Sequence, residues 1–295
     1  MKTDALAIPG VQSRSADFVS LAKPRLNMLV IASAMAGYAM AGGDTARVVL
    51  LLGTLVGTAL VAGGASAFNQ LLERDTDGLM RRTRLRPLPD GRLTTREAAL
   101  YGLTLSVAGL TILASAVNPL CAAVALTTLV TYVAIYTPLK RRTSFATVIG
   151  AIPGALPPVI GWAAARNELS QGAWVLFGIV FLWQLPHFLA IAWIFREDYG
   201  RAGFPMLPVL QPDGRSTARQ TVVYAAALLP MSLAPTLVGM SGTIYFIGAL
   251  VLTLLFVASA LRFGSSRSTA HARQLFFASI LYLPLLWILM IADRL

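Results

Sequence analysis

Apolar runs of about 20 residues, the length that crosses a bilayer core, recur at 25–43, 47–70, 96–117, 119–138, 145–165, 172–194, 219–239, 242–262 and 273–292. Nine runs predict nine membrane helices. The breaks after Val117 (Asn-Pro) and Val238 (Gly-Met-Ser-Gly) are a few residues long, whereas the connections at 71–95 and 195–218 are long and charged. The expected fold class is therefore all-α integral membrane, with residues 1–22 as a polar N-terminal tail and 23–295 as one membrane-embedded domain. Residues 1–22 hold no continuous apolar stretch behind a basic start, so no secretory signal is expected. Asp4, Asp17 and the scarcity of arginine point instead to a short cytoplasmic tail on a bacterial protein.

Composition agrees: 56% of the 295 residues are hydrophobic and 13% charged, far too apolar for an ordinary soluble domain. The net charge of +11 raises the question of nucleic acid, which the positive-inside rule answers. With the N-terminus in the cytoplasm and sides alternating at each span, only Arg47, Arg166 and Arg294 of the 24 basic residues fall on the opposite side. Topology explains the charge, and no nucleic-acid partner is expected. The single cysteine, Cys121, lies in an apolar run and excludes an intrachain disulfide or CxxC chemistry.

The densest polar segment is Asn69–Pro89, with three acids (Glu73, Asp75, Asp77) and five arginines (Arg74, Arg81, Arg82, Arg84, Arg86) directly after an apolar run. Asn69, Glu73 and Asp77 are spaced i, i+4, i+8, so a continuing helix aligns them in one column, drifting about 40° per step. Oxygen donors in a column suit a divalent cation, and guanidinium forks suit phosphate. Together they suggest a metal diphosphate. Mg²⁺, a hard cation that takes carboxylate and phosphate oxygens, fits best.

A second acidic cluster, Arg196-Glu197-Asp198-Tyr199, follows the sixth span as the first follows the second. Matching positions suggest a pseudo-repeat with a cavity between two helix ends. After the fourth span, Tyr136-Thr-Pro-Leu-Lys-Arg-Arg-Thr143 reads either as a second phosphate cluster or as a basic membrane anchor. The run Ile149–Trp162, with three Gly and three Pro, predicts a broken helix, tolerated at membrane depth where it lines a cavity. His187 is the only histidine inside a span. Some 16 Å from Asp198 along a helix, it is too deep to share the metal and is either a contact to a second substrate or a hydrogen-bonded interhelix residue.

These motifs resemble the intramembrane UbiA-type prenyltransferases. The set Asn-Gln-Leu-Leu-Glu-Arg-Asp-Thr-Asp (69–77), Arg-Arg-Thr-Arg-Leu-Arg-Pro-Leu (81–88), Tyr-Thr-Pro-Leu-Lys-Arg-Arg-Thr (136–143), Trp-Gln-Leu-Pro-His-Phe (183–188) and Asp-Tyr-Gly-Arg-Ala-Gly-Phe-Pro-Met-Leu-Pro-Val (198–209) is similar to the heme-modifying branch. The resemblance implies a helical bundle around a central cavity and transfer of farnesyl from farnesyl diphosphate to a vinyl group of heme b. Water addition gives heme O and diphosphate, for the cofactor of heme–copper oxidases. It implies Asn69, Glu73, Asp75, Asp77 and Asp198 as catalytic, with Asn69, Glu73, Asp77 and Asp198 on Mg²⁺. Arg82, Arg86, Lys140 and Arg141, together with Tyr136, His187 and Tyr199, would bind substrate. Phe68, Tyr136, Trp183 and Phe188 are either cavity walls or core packing. Many members carry two aspartates at i, i+4 in the second motif, whereas Asp198 stands between Ile194 and Ala202, which leaves the number of Mg²⁺ ions open.

The expected setting is a bacterial inner membrane with the site facing the cytoplasm. A heme A synthase or oxidase-assembly protein is the protein partner the resemblance implies. Two rivals are a family member acting on a quinone or chlorophyll precursor, and a transporter. The clustering of charge at one face speaks against transport.

Overall fold

The computed structural model describes residues 13–44 and 46–295; the first twelve residues of the expected tail lie outside them. Among the described residues the chain is helical throughout, with no strand. The elements are α1 (Arg14–Leu21), α2 (Pro24–Met40), α3 (Val48–Leu79), α4 (Thr95–Val117), α5 (Pro119–Leu139), α6 (Ala146–Arg166), α7 (Gln171–Ile194), α8 (Arg196–Arg201), α9 (Leu207–Leu210), α10 (Arg215–Leu237), α11 (Thr243–Ser266) and α12 (Thr269–Ala292).

Eight of these, α3–α7 and α10–α12, are long and apolar enough to cross a membrane. They match eight of the nine predicted spans. The first predicted span is α2, 17 residues long. Residues 14–21 are not a loose tail, because α1 docks through fully buried Leu21 against Ala67, Leu88, Leu93 and Ala98. Buried Asp17 accepts from Arg92 Nε at 3.0 Å and fastens α1 to the 80–94 connection.

Helix α3 has 32 residues, about 48 Å at 1.5 Å per residue, against a hydrocarbon core of about 30 Å. Its first two thirds are apolar, and the remainder, which carries the Asn69–Asp77 column, accounts for the length in excess of that core. Helix α4 starts in a capping box, Thr94 with Glu97, and both α4 and α5 contain a π-helical turn, at Leu113–Val117 and Thr131–Tyr136. The predicted break in α6 falls at Leu156, before Pro157-Pro158.

Close packing depends on missing side chains between α2 and α6. A Cβ on Gly37 would lie 1.9 Å from Pro158 O, and one on Gly161 1.8 Å from Ala34 O, so the two backbones touch directly, as small residues permit in membrane bundles. Helices α3 and α4 pack together, α6 lies on α7, α7 on α10 and α12, and α12 reaches back to α2. A buried hydroxyl cluster ties the last three helices: Tyr282 OH meets Ser232 Oγ at 2.6 Å and Thr253 Oγ1 at 2.9 Å, and Tyr245 OH donates to Ser232 O at 2.7 Å. These polar contacts hold the bundle together where lipid offers no hydrophobic driving force between helices.

Candidate active site

The column predicted from spacing is present. Asn69, Glu73 and Asp77 sit on one face of continuous α3 and are all buried, Asp77 completely. Buried carboxylates need counter-charge, and each finds one. Lys140 Nζ lies 3.1 and 3.2 Å from the two Glu73 oxygens, and Arg86 Nη1 lies 2.6 Å from Asp77 Oδ2. The 80–94 connection folds back to supply Arg86, held by Thr83 Oγ1 donating to Asp77 O at 2.9 Å. Asn69 accepts from Lys23 Nζ at 3.0 Å and donates to Thr137 Oγ1 at 3.3 Å.

Burial, and secondly the Arg86 guanidinium, lowers the Lys23 pKa to about 7. Burial is the largest influence on Lys140 and works against its charge, but the Glu73 carboxylate, its hydrogen bond to Lys140 and the neighbouring Tyr199 and Tyr132 together outweigh it, and the Lys140 pKa ends above its usual value.

The second acidic end meets the first. Met80, just past α3, packs with Tyr199, Phe204 and Met206 from the α7–α9 connection. Lys140 Nζ lies 4.7 Å from the Phe204 ring centre and 5.9 Å from that of Tyr199, and Arg82 lies 5.3 Å above Phe195. Asp198 is mostly buried and ion-paired with Arg201. Arg141 Nη2 donates to Leu72 O at 2.8 Å, clamping the α5–α6 connection onto α3. Asp75 is different: its side chain is 77% exposed and bonds Arg74 at 2.9 Å, outside the column. Glu197 is likewise exposed.

Beneath the column lies a cavity of about 300 Å³, with Lys23, Asn27 and Ser66 among its polar lining and Val30, Tyr136 and Phe188 among its apolar walls. Gly150 leaves room for Tyr136, whose ring atom would otherwise be 2.5 Å from a Cβ. Trp183 and His187 turn instead toward α12. Trp183 Nε1 donates to Ser279 O at 2.9 Å, and His187 Nδ1 meets Ser279 Oγ at 2.7 Å with its ring stacked 5.0 Å from Phe276. The structure does not bring His187 among the cavity residues.

Metal fit rests on the donor set. Asp77 Oδ1 is buried without a hydrogen-bond partner, on the same face as the Asn69 and Glu73 oxygens, and these hard donors suit Mg²⁺. Among the described residues no three acidic, histidine or cysteine side chains converge to hold a metal alone, so such an ion would draw its other oxygens from diphosphate and water.

Residues 30–281 match the UbiA prenyltransferase family. The chain belongs to that family. The UbiA-type resemblance drawn from the motifs is borne out in its heme-modifying branch as well. A protoheme IX farnesyltransferase of Solibacter usitatus is 48% identical over 94% of this chain and 98% of its own length, and one of Koribacter versatilis is 45% identical over 99% and 98%. The UbiA-type fold is shared with a digeranylgeranylglyceryl phosphate synthase, at TM-score 0.78 and 14% identity over 95% of this chain and 98% of that one. It is shared too with a UbiA homolog from Archaeoglobus fulgidus bound to DMAPP and Mg²⁺, at TM-score 0.64 and 18% identity over 93% and 99%. The chain is thus a multi-pass membrane prenyltransferase.

Lys23 is the member of the site that sequence reasoning missed. A lysine just before a first span reads as a topological anchor, and its contact with Asn69 spans 46 positions. Thr137 was hidden in the same way.

Proposed function

We propose that this enzyme transfers farnesyl from farnesyl diphosphate to a vinyl group of heme b, with water addition, giving heme O and diphosphate for heme–copper oxidase assembly. The observation that carries the reading is the counter-charged Asn69–Glu73–Asp77 column at the mouth of an apolar cavity: one end suits a diphosphate, the other an isoprenoid tail. The names of the relatives support heme as acceptor, and the DMAPP and Mg²⁺ on the Archaeoglobus homolog support a prenyl diphosphate with a divalent metal.

Asn69, Glu73 and Asp77, with Asp198 across the cleft, would hold Mg²⁺, which when bound neutralises charge on the diphosphate. Lys140, Arg86, Arg82 and Arg141 bind the phosphate oxygens and stabilise the charge that builds on them as the allylic C–O bond ionises. Tyr136 and Tyr199 flank the developing cation with ring faces. The apolar wall excludes bulk water until the heme vinyl group has attacked. Asp75, from its exposed position, acts on the solvent side of the motif. The topology is nine spans, α2 being the first, with N-terminus and site cytoplasmic in a bacterial inner membrane, where a heme A synthase or an oxidase-assembly protein is the partner.

The test is purified protein with Mg²⁺, farnesyl diphosphate and heme b, the pigment being weighed by mass spectrometry. The expected result is a farnesylated heme. Unmodified heme beside a prenylated aromatic acceptor overturns the reading.

A further inference from the structure

Three cavity-lining oxygens have no hydrogen-bond partner among the described residues, although their residues are more than nine-tenths buried: Gln184 Oε1 on α7, and Asn27 Oδ1 and Ser66 Oγ on the two helices that carry Lys23 and Asn69. Asn27 is 8% exposed and Ser66 is 7% exposed. The Asn27 amide is pinned by Nδ2 donating to Ala22 O at 2.6 Å, which leaves Oδ1 unpaired; Ser66 Oγ makes no bond. Neither oxygen is sealed within protein, and both side chains border the cavity. Asn27 lies one turn beyond Lys23 on α2, and Ser66 one turn inward of Asn69 on α3. The Lys23–Asn69 contact at 3.0 Å joins the two helices at that point. The pair therefore sits about one helical turn inside the Lys23–Asn69 end of the cavity, where the farnesyl-transfer reading puts the first prenyl carbon. An unpaired oxygen facing an apolar cavity is costly, and a cavity water needs such partners to be held.

We infer that Asn27 and Ser66 position the water that captures the cation formed on the acceptor, an inference that rests on the farnesyl-transfer reading. The C1–O bond breaks with its electron pair going to diphosphate, and the vinyl π pair forms the new C–C bond to C1. The positive charge is left on the vinyl carbon attached to the porphyrin ring. A lone pair of the held water bonds that carbon, and the resulting oxonium gives its proton to the diphosphate. Without the water, the same cation loses a proton from the adjoining CH₂ to diphosphate and ends as an alkene, lighter by one water.

The experiment uses the full chain with Mg²⁺, farnesyl diphosphate and heme b in ¹⁸O-labelled water, reading both diphosphate release and product mass. Wild type gives a hydroxylated adduct carrying the label. Asn27→Leu combined with Ser66→Ala keeps diphosphate release within about fivefold, while the hydroxylated share falls at least about tenfold in favour of the alkene, in keeping with the loss of hydrogen bonds to a reacting group. Asn27→Asp, which retains the acceptor oxygen, keeps the hydroxylated product. An unchanged product ratio in the double variant overturns the inference. So does a parallel fall of release and hydroxylation in Ser66→Ala alone, a change too small to threaten the fold. A wild-type adduct without label refutes the water step and leaves farnesyl transfer standing, whereas a wild type that releases no diphosphate refutes both.

Discussion

Arg86→Met tests the buried pair at the centre of the site. Asp77 is fully buried, its Oδ2 is held by Arg86 at 2.6 Å and its Oδ1 has no partner, so removing the guanidinium strands a charge with no ionic partner. Breaking a buried pair from one side costs about 3–5 kcal/mol. Arg86 is 22% exposed, and water entering through its place relieves part of that, which puts the expected loss near the lower end, about 3 kcal/mol. At about 2–4 °C per kcal/mol, the melting temperature in detergent falls on the order of 10 °C. Adding Asp77→Asn removes the stranded charge and returns more than half of the loss, a coupling that separates an ion-pair effect from packing. Turnover stays abolished in both variants. A melting temperature for Arg86→Met within about 2 °C of wild type, or no recovery on adding Asp77→Asn, refutes the reasoning.

Four further outcomes are expected. Lys140→Met strands Glu73 in the same way and abolishes diphosphate release, measured by phosphate assay after pyrophosphatase, whereas Lys140→Arg retains part of it. Asp77→Ala loses at least about tenfold more turnover than Asp75→Ala, because only Asp77 stands in the column. Gly161→Ala drives a Cβ into Ala34 O, backbone that cannot yield, and lowers thermal stability more than Gly91→Ala, where nothing lies within 4 Å but the positive φ still costs about 1–2 kcal/mol. Lys23 has a folded pKa of about 7 against 10.5 for the free side chain. Between those values the unfolded chain holds a proton the folded chain lacks, so Lys23 makes stability rise with pH across that window. Melting curves from pH 7 to 9.5 should lose that slope in Lys23→Met.

Eight of the predicted spans and the polar column were legible because both rest on a pattern within a single segment: spans are runs, and Asn69, Glu73 and Asp77 repeat every fourth residue. The α6 break was legible for the same reason, since Pro157-Pro158 removes backbone donors locally. Contacts between distant segments were not legible. Lys140 on Glu73 and Thr137 on Asn69 connect positions 67 and 68 apart, and a basic residue near a span end has a sufficient explanation in topology. The π-helical turns carry no compositional mark, although the second one aims Tyr132 and Tyr136 at the cavity. Asp75 belongs to the motif but falls off the column by helical spacing alone, and the structure turns its side chain outward.

The overhang of α3 has a consequence for how substrate is met. On the farnesyl-transfer reading, with the charged third of that helix beyond the hydrocarbon and the cavity beneath it, a prenyl diphosphate keeps the depth and orientation it already has as a membrane amphiphile. Its head stays at the aqueous surface and its tail never has to leave oil for water. The relevant concentration is then the mole fraction of substrate in the leaflet, and diluting the membrane with inert lipid at constant total substrate should slow the enzyme.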